Sequence, residues 1–145
     1  MGNSKASWLT AFALGASLIG AATPSHAEGR NQIGAVTFSE KEATTTIRIR
    51  GSEAGTFTVY RLERPTRIVI DIAKASLSEA VRSAHETLAT MTPGTWSVSQ
   101  ISAQAMDDGG PIVRVMVTLA RPGKYDVKAD KNDIVITVTA RDAKP

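Results

Sequence analysis

Cysteine is absent from all 145 residues. No disulfide framework, thiolate nucleophile or thiolate metal site is therefore available, and the fold must hold by packing alone. Histidine is nearly absent: the two are His26 and His85. A zinc hydrolase needs two or three nitrogen ligands. A Ser-His-Asp triad would have to use His85, which lies in the polar segment Arg82-Ser83-Ala84-His85-Glu86. Neither enzyme, metal site nor cofactor is expected. A strong charge bias is also lacking. With 17 Lys and Arg against 14 Asp and Glu, the net charge of +3 does not argue for nucleic acid.

A hydrophobic run long enough to span a bilayer is missing too. Trp8 to Ala22 is apolar for 15 residues, short of the roughly 20 that a spanning helix needs. Lys5 precedes the run, Pro24 breaks it, and Ser25 and Ala27 stand at −3 and −1 of a cleavage site. That order is the grammar of a secretory signal peptide. The expected organisation is a signal peptide at 1–27, one domain at 28–140 and a tail or linker start at 141–145. Cleavage leaves 118 of the 145 residues, enough for one modest core, with no membrane span.

Beyond the leader, alternation of period two dominates. Strands are predicted at 33–39, 44–50, 56–62, 67–73, 96–104, 112–119, 124–129 and 133–139. Thr45, Ile47 and Ile49 point one way, and Thr46, Arg48 and Arg50 the other. Phe57 and Val59 take the inner face of the third strand. Ile68, Ile70 and Ile72 oppose Arg67, Val69 and Asp71. Val113, Val115, Val117 and Leu119 oppose Arg114, Met116 and Thr118. The register of 96–104 is ambiguous. Turns fall at Gly51–Gly55, Glu63–Thr66, Asp107–Pro111, Arg121–Gly123 and Asp130–Asp133. Asp107-Asp-Gly-Gly lacks the spaced ligands of a calcium loop. Ser76 and Glu79 suit a capping box, and apolar spacing follows, so a short helix over 77–89 is expected, with an ordered loop as the alternative.

The two halves resemble each other. Ile47-Arg-Ile49, Gly55-Thr-Phe-Thr-Val59 and Ile68-Val-Ile-Asp-Ile72 match Val115-Met-Val117, Gly123-Lys-Tyr-Asp-Val127 and Ile134-Val-Ile-Thr-Val138. A repeated three-strand unit, each behind a leading strand (33–39 and 96–104), predicts a mainly β sandwich. Its two pseudo-symmetric antiparallel sheets, of about four strands each, should pack face to face.

The runs Phe57–Leu62, Pro65–Ile72, Ile112–Leu119, Tyr125–Lys128 and Asn132–Val138 resemble the AMIN domain. That domain occurs in periplasmic N-acetylmuramoyl-L-alanine amidases and in the N-terminal region of type IV pilus secretins. The best marks are a P-x-R-hydrophobic-hydrophobic-hydrophobic-D strand at Pro65–Asp71 and a hydrophobic-hydrophobic-R-hydrophobic strand at Ile112–Val115. The resemblance covers roughly residues 31–140 and lies closest to the first such domain of a secretin. It implies a non-catalytic periplasmic module of two packed, symmetry-related sheets that binds peptidoglycan and positions a partner such as a secretin or amidase. Family members are normally joined to an amidase or secretin domain, which this chain lacks, so it is expected to stand alone or to be the N-terminal piece of a longer protein.

Peptidoglycan offers sugar hydroxyls, amides and carboxylates, so a binder needs charged hydrogen bonds beside flat apolar surface. Arg67 and Asp71 share one face of a strand, and Arg114 projects from the equivalent side of the other half. Arg48, Arg50, Tyr60 and Met116 are expected to flank them. The candidate ligand residues are thus Arg67, Asp71, Arg114, Tyr60 and Arg48, with Trp96 a candidate for sugar stacking or for the core. A module that binds a protein partner by strand addition is the rival reading, with 33–39 and 133–139 as candidate edges.

Overall fold

In the computed structural model the described residues are 31–81 and 88–145. They form ten strands and, among the described residues, no helix: β1 Asn31–Lys41, β2 Thr44–Gly51, β3 Phe57–Leu62, β4 Arg67–Ala73, β5 Ala75–Leu77, β6 Leu88–Met91, β7 Val98–Asp107, β8 Pro111–Leu119, β9 Gly123–Asp130 and β10 Asp133–Ala140. Two five-stranded sheets result, with orders β5-β1-β2-β10-β9 and β3-β4-β8-β7-β6. They are called sheets A and B below.

The sandwich is as expected, but its sheets are larger and differently composed. Neither belongs to one half of the chain. Sheet A joins the β1–β2 hairpin of the first half to the β9–β10 hairpin of the second. Sheet B joins β3–β4 to β7–β8. The repeat is nonetheless accurate in register. Ile47 pairs Ile136 and Ile49 pairs Ile134 at the seam of sheet A. The matching positions, Val115 with Ile70 and Val117 with Ile68, pair at the seam of sheet B. Phe57 faces Ile72 as Tyr125 faces Val138. The core is filled from both inner faces, with Ile47, Ile49, Ile68, Ile70, Ile72, Val113, Val115, Val117, Ile136 and Val138 at most 1 % exposed.

The fifth strands account for the remaining differences. β5 adds to β1 in parallel over Asn31–Ile33, so sheet A is not purely antiparallel. This short strand replaces the start of the expected helix. Leu77 ends β5, residues 78–81 turn, and 88–89 open β6. The hydroxyl of Ser76 accepts a 2.8 Å bond from the Gln32 side-chain amide, and Ala75 and Leu77 are buried. Of the residues whose spacing suited a helix, Leu77 is buried in β5, Ala80 is exposed and Val81 packs partly against the core. Residues 82–87 of that expectation, His85 included, lie outside the described residues. Of the two expected edges, 133–139 is interior, because β10 runs between β2 and β9. β5 covers β1 only at 31–33, and the side of β1 away from β2 is open from 35 onward.

The ambiguous register near 96–104 has a local cause. β7 bulges between Val98 and Gln100, so alternation resets: Val98 is buried before the bulge, Ile101 and Ala103 after it. β1 carries the equivalent bulge between Ile33 and Ala35. An extra residue re-aims each leading strand by one position. Val59 shares the face of Phe57 but is exposed, because β3 is an edge strand.

The repeated Gly55 and Gly123 also have a reason. A Cβ at Gly55 would stand 2.6 Å from the Asn31 side chain, and one at Gly123 would stand 2.4 Å from the Thr139 carbonyl oxygen. Gly123 pairs with Ala140 at the end of the β9–β10 ladder, so that backbone has little room to yield. Gly123→Ala should cost about 1–3 kcal/mol. Gly34→Ala, at a bulge where nothing lies within 4 Å of the added carbon, should change stability by less than about 0.5 kcal/mol. Equal urea midpoints for the two variants would contradict this assignment.

Candidate functional site

The outer face of sheet B is built by alternation. Inward residues of β4 and β8 are the core isoleucines and valines, so Arg67, Val69 and Asp71 on β4 and Arg114, Met116 and Thr118 on β8 face out. Register sets them in rows. Thr58, Asp71, Arg114 and Gln104 form one, Tyr60, Val69, Met116 and Ser102 the next, and Leu62, Arg67, Thr118 and Gln100 the third.

In the first row, Arg114 forks onto Asp71: Nε to Oδ1 at 2.8 Å and Nη2 to Oδ2 at 3.1 Å. Planar bidentate geometry of this kind fixes orientation as well as adding energy. The hydroxyl of Tyr60 donates to Asp71 Oδ2 at 3.4 Å. Both carboxylate oxygens are therefore occupied, so Asp71 orients Arg114 and Tyr60. The hydrogen bond to Asp71 raises the Arg114 pKa above its already high ordinary value, so the guanidinium stays charged wherever the fold survives. In the middle row Val69 is fully buried although it points outward, with Tyr60 and Met116 beside it across the strands. Tyr60 and Leu62 remain over a third exposed. Arg67 does not meet Asp71; its Nε donates to the Pro65 carbonyl at 3.2 Å.

Of the sequence-derived candidates, the structure thus brings together Tyr60, Arg67, Asp71 and Arg114. It does not bring Arg48 to them. β2 belongs to sheet A, so Arg48 and Arg50 face out on the opposite side of the sandwich. There Arg48 bonds Asp133 at 2.9 Å and Asp130 at 3.2 Å. The internal repeat gives a direct comparison of the two faces. Positions matching Asp71 and Arg114 are Thr137 and Thr46, and these also pair across the seam of sheet A. The position matching Tyr60 is Lys128. The ion-paired, tyrosine-flanked row is therefore peculiar to sheet B.

Trp96 is not free to stack on a sugar with both faces. The Arg121 guanidinium lies 3.4 Å from its ring centroid, and Arg121 Nε donates to the Trp96 carbonyl at 2.6 Å. The indole N–H donates to the Asp142 carbonyl, and the Trp96 backbone N–H to Glu40. Below this corner, Thr45, Thr95 and Ser97 form a hydroxyl cluster: Thr45 lies 2.7 Å from Thr95 and 2.6 Å from Ser97. Ser97 donates onward to the Val138 carbonyl. The hydroxyls of Thr45 and Ser97 are thus bonded inside the sandwich. No group of three or more His, Asp and Glu side chains fit to hold a metal occurs among the described residues. The Asp107–Gly110 loop is a turn, with the Gly110 N–H bonded to Asp107.

Two interleaved sheets, duplicated within one chain and decorated on one outer face, define a small β-sandwich module. A family model for the AMIN domain matches residues 35–138; the chain belongs to that family. No curated protein matches it significantly.

Two measurements check the geometry. A double-mutant cycle on Asp71→Ala and Arg114→Ala should give a coupling of about 1 kcal/mol, since the pair is bidentate and only partly exposed; additive costs would mean the fork is not formed in solution. The second concerns Glu40, whose carboxyl is held below the usual range first by the Trp96 N–H and then by Lys144. A depressed carboxylate stabilises the fold above its unfolded pKa and loses that contribution as pH falls through the folded one. The melting-temperature difference between the parent and Glu40→Gln should be present at about pH 7 and shrink as pH falls below the ordinary carboxylate range. A constant difference would argue against the tether.

Proposed function

We propose that the chain is a non-catalytic module of the periplasm that binds peptidoglycan and positions envelope machinery of the septal amidase or type IV pilus secretin type. AMIN domains are known as peptidoglycan-binding modules in amidases and secretins, and the signal-peptide grammar of residues 1–27 supports export. On this reading 1–27 is removed, 28–140 is the binding domain and 141–145 is its tail.

The observation that carries the reading is the outer face of sheet B. Tyr60 offers an aromatic face and Met116 an apolar one. Arg114 keeps donors beyond those spent on Asp71, and Arg67 stands two rows further, its terminal nitrogens without a partner among the described residues. A face of this kind suits a glycan strand with carboxylate-bearing peptides: flat surface for rings, guanidinium forks for carboxylates. Asp71 serves as the positioning residue that holds Arg114 and Tyr60 in place. Arg48, committed to two aspartates on sheet A, takes no part.

Co-sedimentation with purified sacculi tests this. The parent should pellet with the wall. The Arg67→Ala/Arg114→Ala variant, shown folded by circular dichroism, should bind about tenfold more weakly or worse. Arg48→Ala/Arg50→Ala should bind like the parent. A parent that stays in the supernatant under every ionic condition would remove the reading.

One feature favours the strand-addition alternative. β3 is an open edge of sheet B with Val59, Tyr60 and Leu62 exposed, whereas the equivalent edge β9 alternates Lys124, Asp126, Lys128 and Asp130. Charged side chains blunt an edge against pairing, and apolar ones do not. A co-purifying partner whose binding survives the outer-face substitutions would favour this reading.

A further inference from the structure

The end of the sandwich where β8 passes to β9 holds a groove of about 860 Å³ between the two sheets. Its charged lining is entirely cationic. Arg61 comes from β3 in sheet B, Lys124 from β9 in sheet A, Arg121 from the connection between the sheets, and Arg141 from the residue after β10. Thr66 and Thr139 add hydroxyls, and Leu119, Pro122 and Ala140 add apolar surface. Among the described residues no carboxylate lines it.

The cations are only partly spent. Arg61 pairs with Glu63, which also accepts from the Thr66 hydroxyl; both partners of the ion pair are about half exposed, so solvent screens it. Arg141 meets Asp142 at 3.8 Å, with both side chains about 70 % exposed, a contact worth little in water. Arg121 is held by the Trp96 ring and carbonyl, neither of which cancels its charge. Among the described residues Lys124 has no acidic partner within 4.0 Å. The backbone is fixed around them: the Arg141 N–H donates to the Pro122 carbonyl at 2.8 Å, and Gly123 closes on Ala140 in the β9–β10 ladder. A second surface depression, beside the β9–β10 turn, is also rich in cations (Arg48, Arg50 and Lys131). There Asp130 and Asp133 share the lining and bond Arg48. The second depression carries its acids in its own lining; the acids that meet the groove's cations, Glu63 and Asp142, are not in the groove's lining.

We propose that this groove is an anion-binding subsite, separate from the outer face of sheet B, that takes a chain bearing closely spaced oxyanions, phosphate or carboxylate. Four cations converging from both sheets raise the local positive potential more than any one would, because a groove with low-dielectric walls focuses the field. Arg121 and Arg61 suit forked contacts to an oxyanion, and Lys124 acts as a point charge. Concavity favours an extended chain over a bilayer: charges facing one another across a cleft can grip a strand from two sides, whereas a membrane surface meets charges on a flat or convex one. The subsite shares no residue with the proposed wall-binding face, so either assignment can fail alone.

Calorimetric titration of the purified protein at low salt, with tripolyphosphate and separately with citrate, tests the subsite. At least one should bind, with affinity falling as salt rises. Lys124→Glu/Arg141→Glu should weaken that binding about tenfold or more. Lys128→Glu, on the same strand but outside the groove, should change it less than about twofold. The variants' melting curves confirm folding. A difference between the two anions identifies phosphate or carboxylate as the preferred group. Absence of binding to both probes, or equal weakening by Lys128→Glu and the groove variant, would overturn the proposal. So would binding to vesicles containing phosphatidylglycerol when neither free anion binds.

Discussion

Everything in this molecule depends on the exchange of hairpins between its halves. The β3–β4 hairpin leaves the sheet begun by β1–β2 and pairs with β8, while β9–β10 makes the reciprocal move and pairs with β2. Each sheet is then closed at its centre by strands from both halves. The buried rows Ile47–Ile136 and Ile49–Ile134 in one sheet, and Ile70–Val115 and Ile68–Val117 in the other, are where that exchange is secured. Neither half can complete its own sheet, so the halves must fold on each other. The high sequence separation of these seams favours slow folding relative to local hairpins.

The exchange also decides what each face displays. β4 and β8 become neighbours only because of it, and their adjacency brings Asp71 against Arg114. β2 and β10, brought together by the same operation, put Thr46 against Thr137. One topological operation, applied twice, gives a charged fork on one side and a pair of hydroxyls on the other. The corner linking the sheets is held by a different device. Glu40, Trp96, Arg121 and Lys144 exchange hydrogen bonds and a ring contact over the buried hydroxyls of Thr45 and Ser97. That corner tethers residues beyond β10 to β1 and to the start of β7.

Much of this was legible in the chain because half-buried strands write their burial in alternation. The inward and outward sets of β2, β4 and β8 follow directly from it, and so does the repeat. The bulge at Ser99 was not legible, since one extra residue resets the alternation that would reveal it. The short β5 was hidden for another reason. Ala75 and Leu77 are buried two apart, but three residues cannot distinguish a strand from the opening turn of a helix, and Ser76 and Glu79 supplied a credible cap. Strand order was hidden most deeply. Four similar hairpin strands per half can pair in several ways with the same inward faces, so periodicity cannot tell which sheet β2 joins. That single unknown misplaced Arg48 beside Arg67, although its outward direction was correct.

A duplicated fold carries its own comparison, and this bears on where ligand chemistry resides. Features demanded by the architecture should recur in both halves, and several do: the two bulges, the close-packed glycines before Phe57 and Tyr125, and the seam isoleucines and valines. Features present in one half only are not required by the fold. The Asp71–Arg114 fork with Tyr60, the apolar edge of β3 and the acid-free groove beside Lys124 are of this second kind. The first two stand where the related positions hold a neutral pair and an alternation of charges; the groove's Arg61, Arg121 and Lys124 stand where the repeat puts Ala129, Glu53 and Thr56. Departures from the internal symmetry are therefore a physical criterion for choosing surfaces to test, and all three lie on sheet B or at the junction it shares with β9.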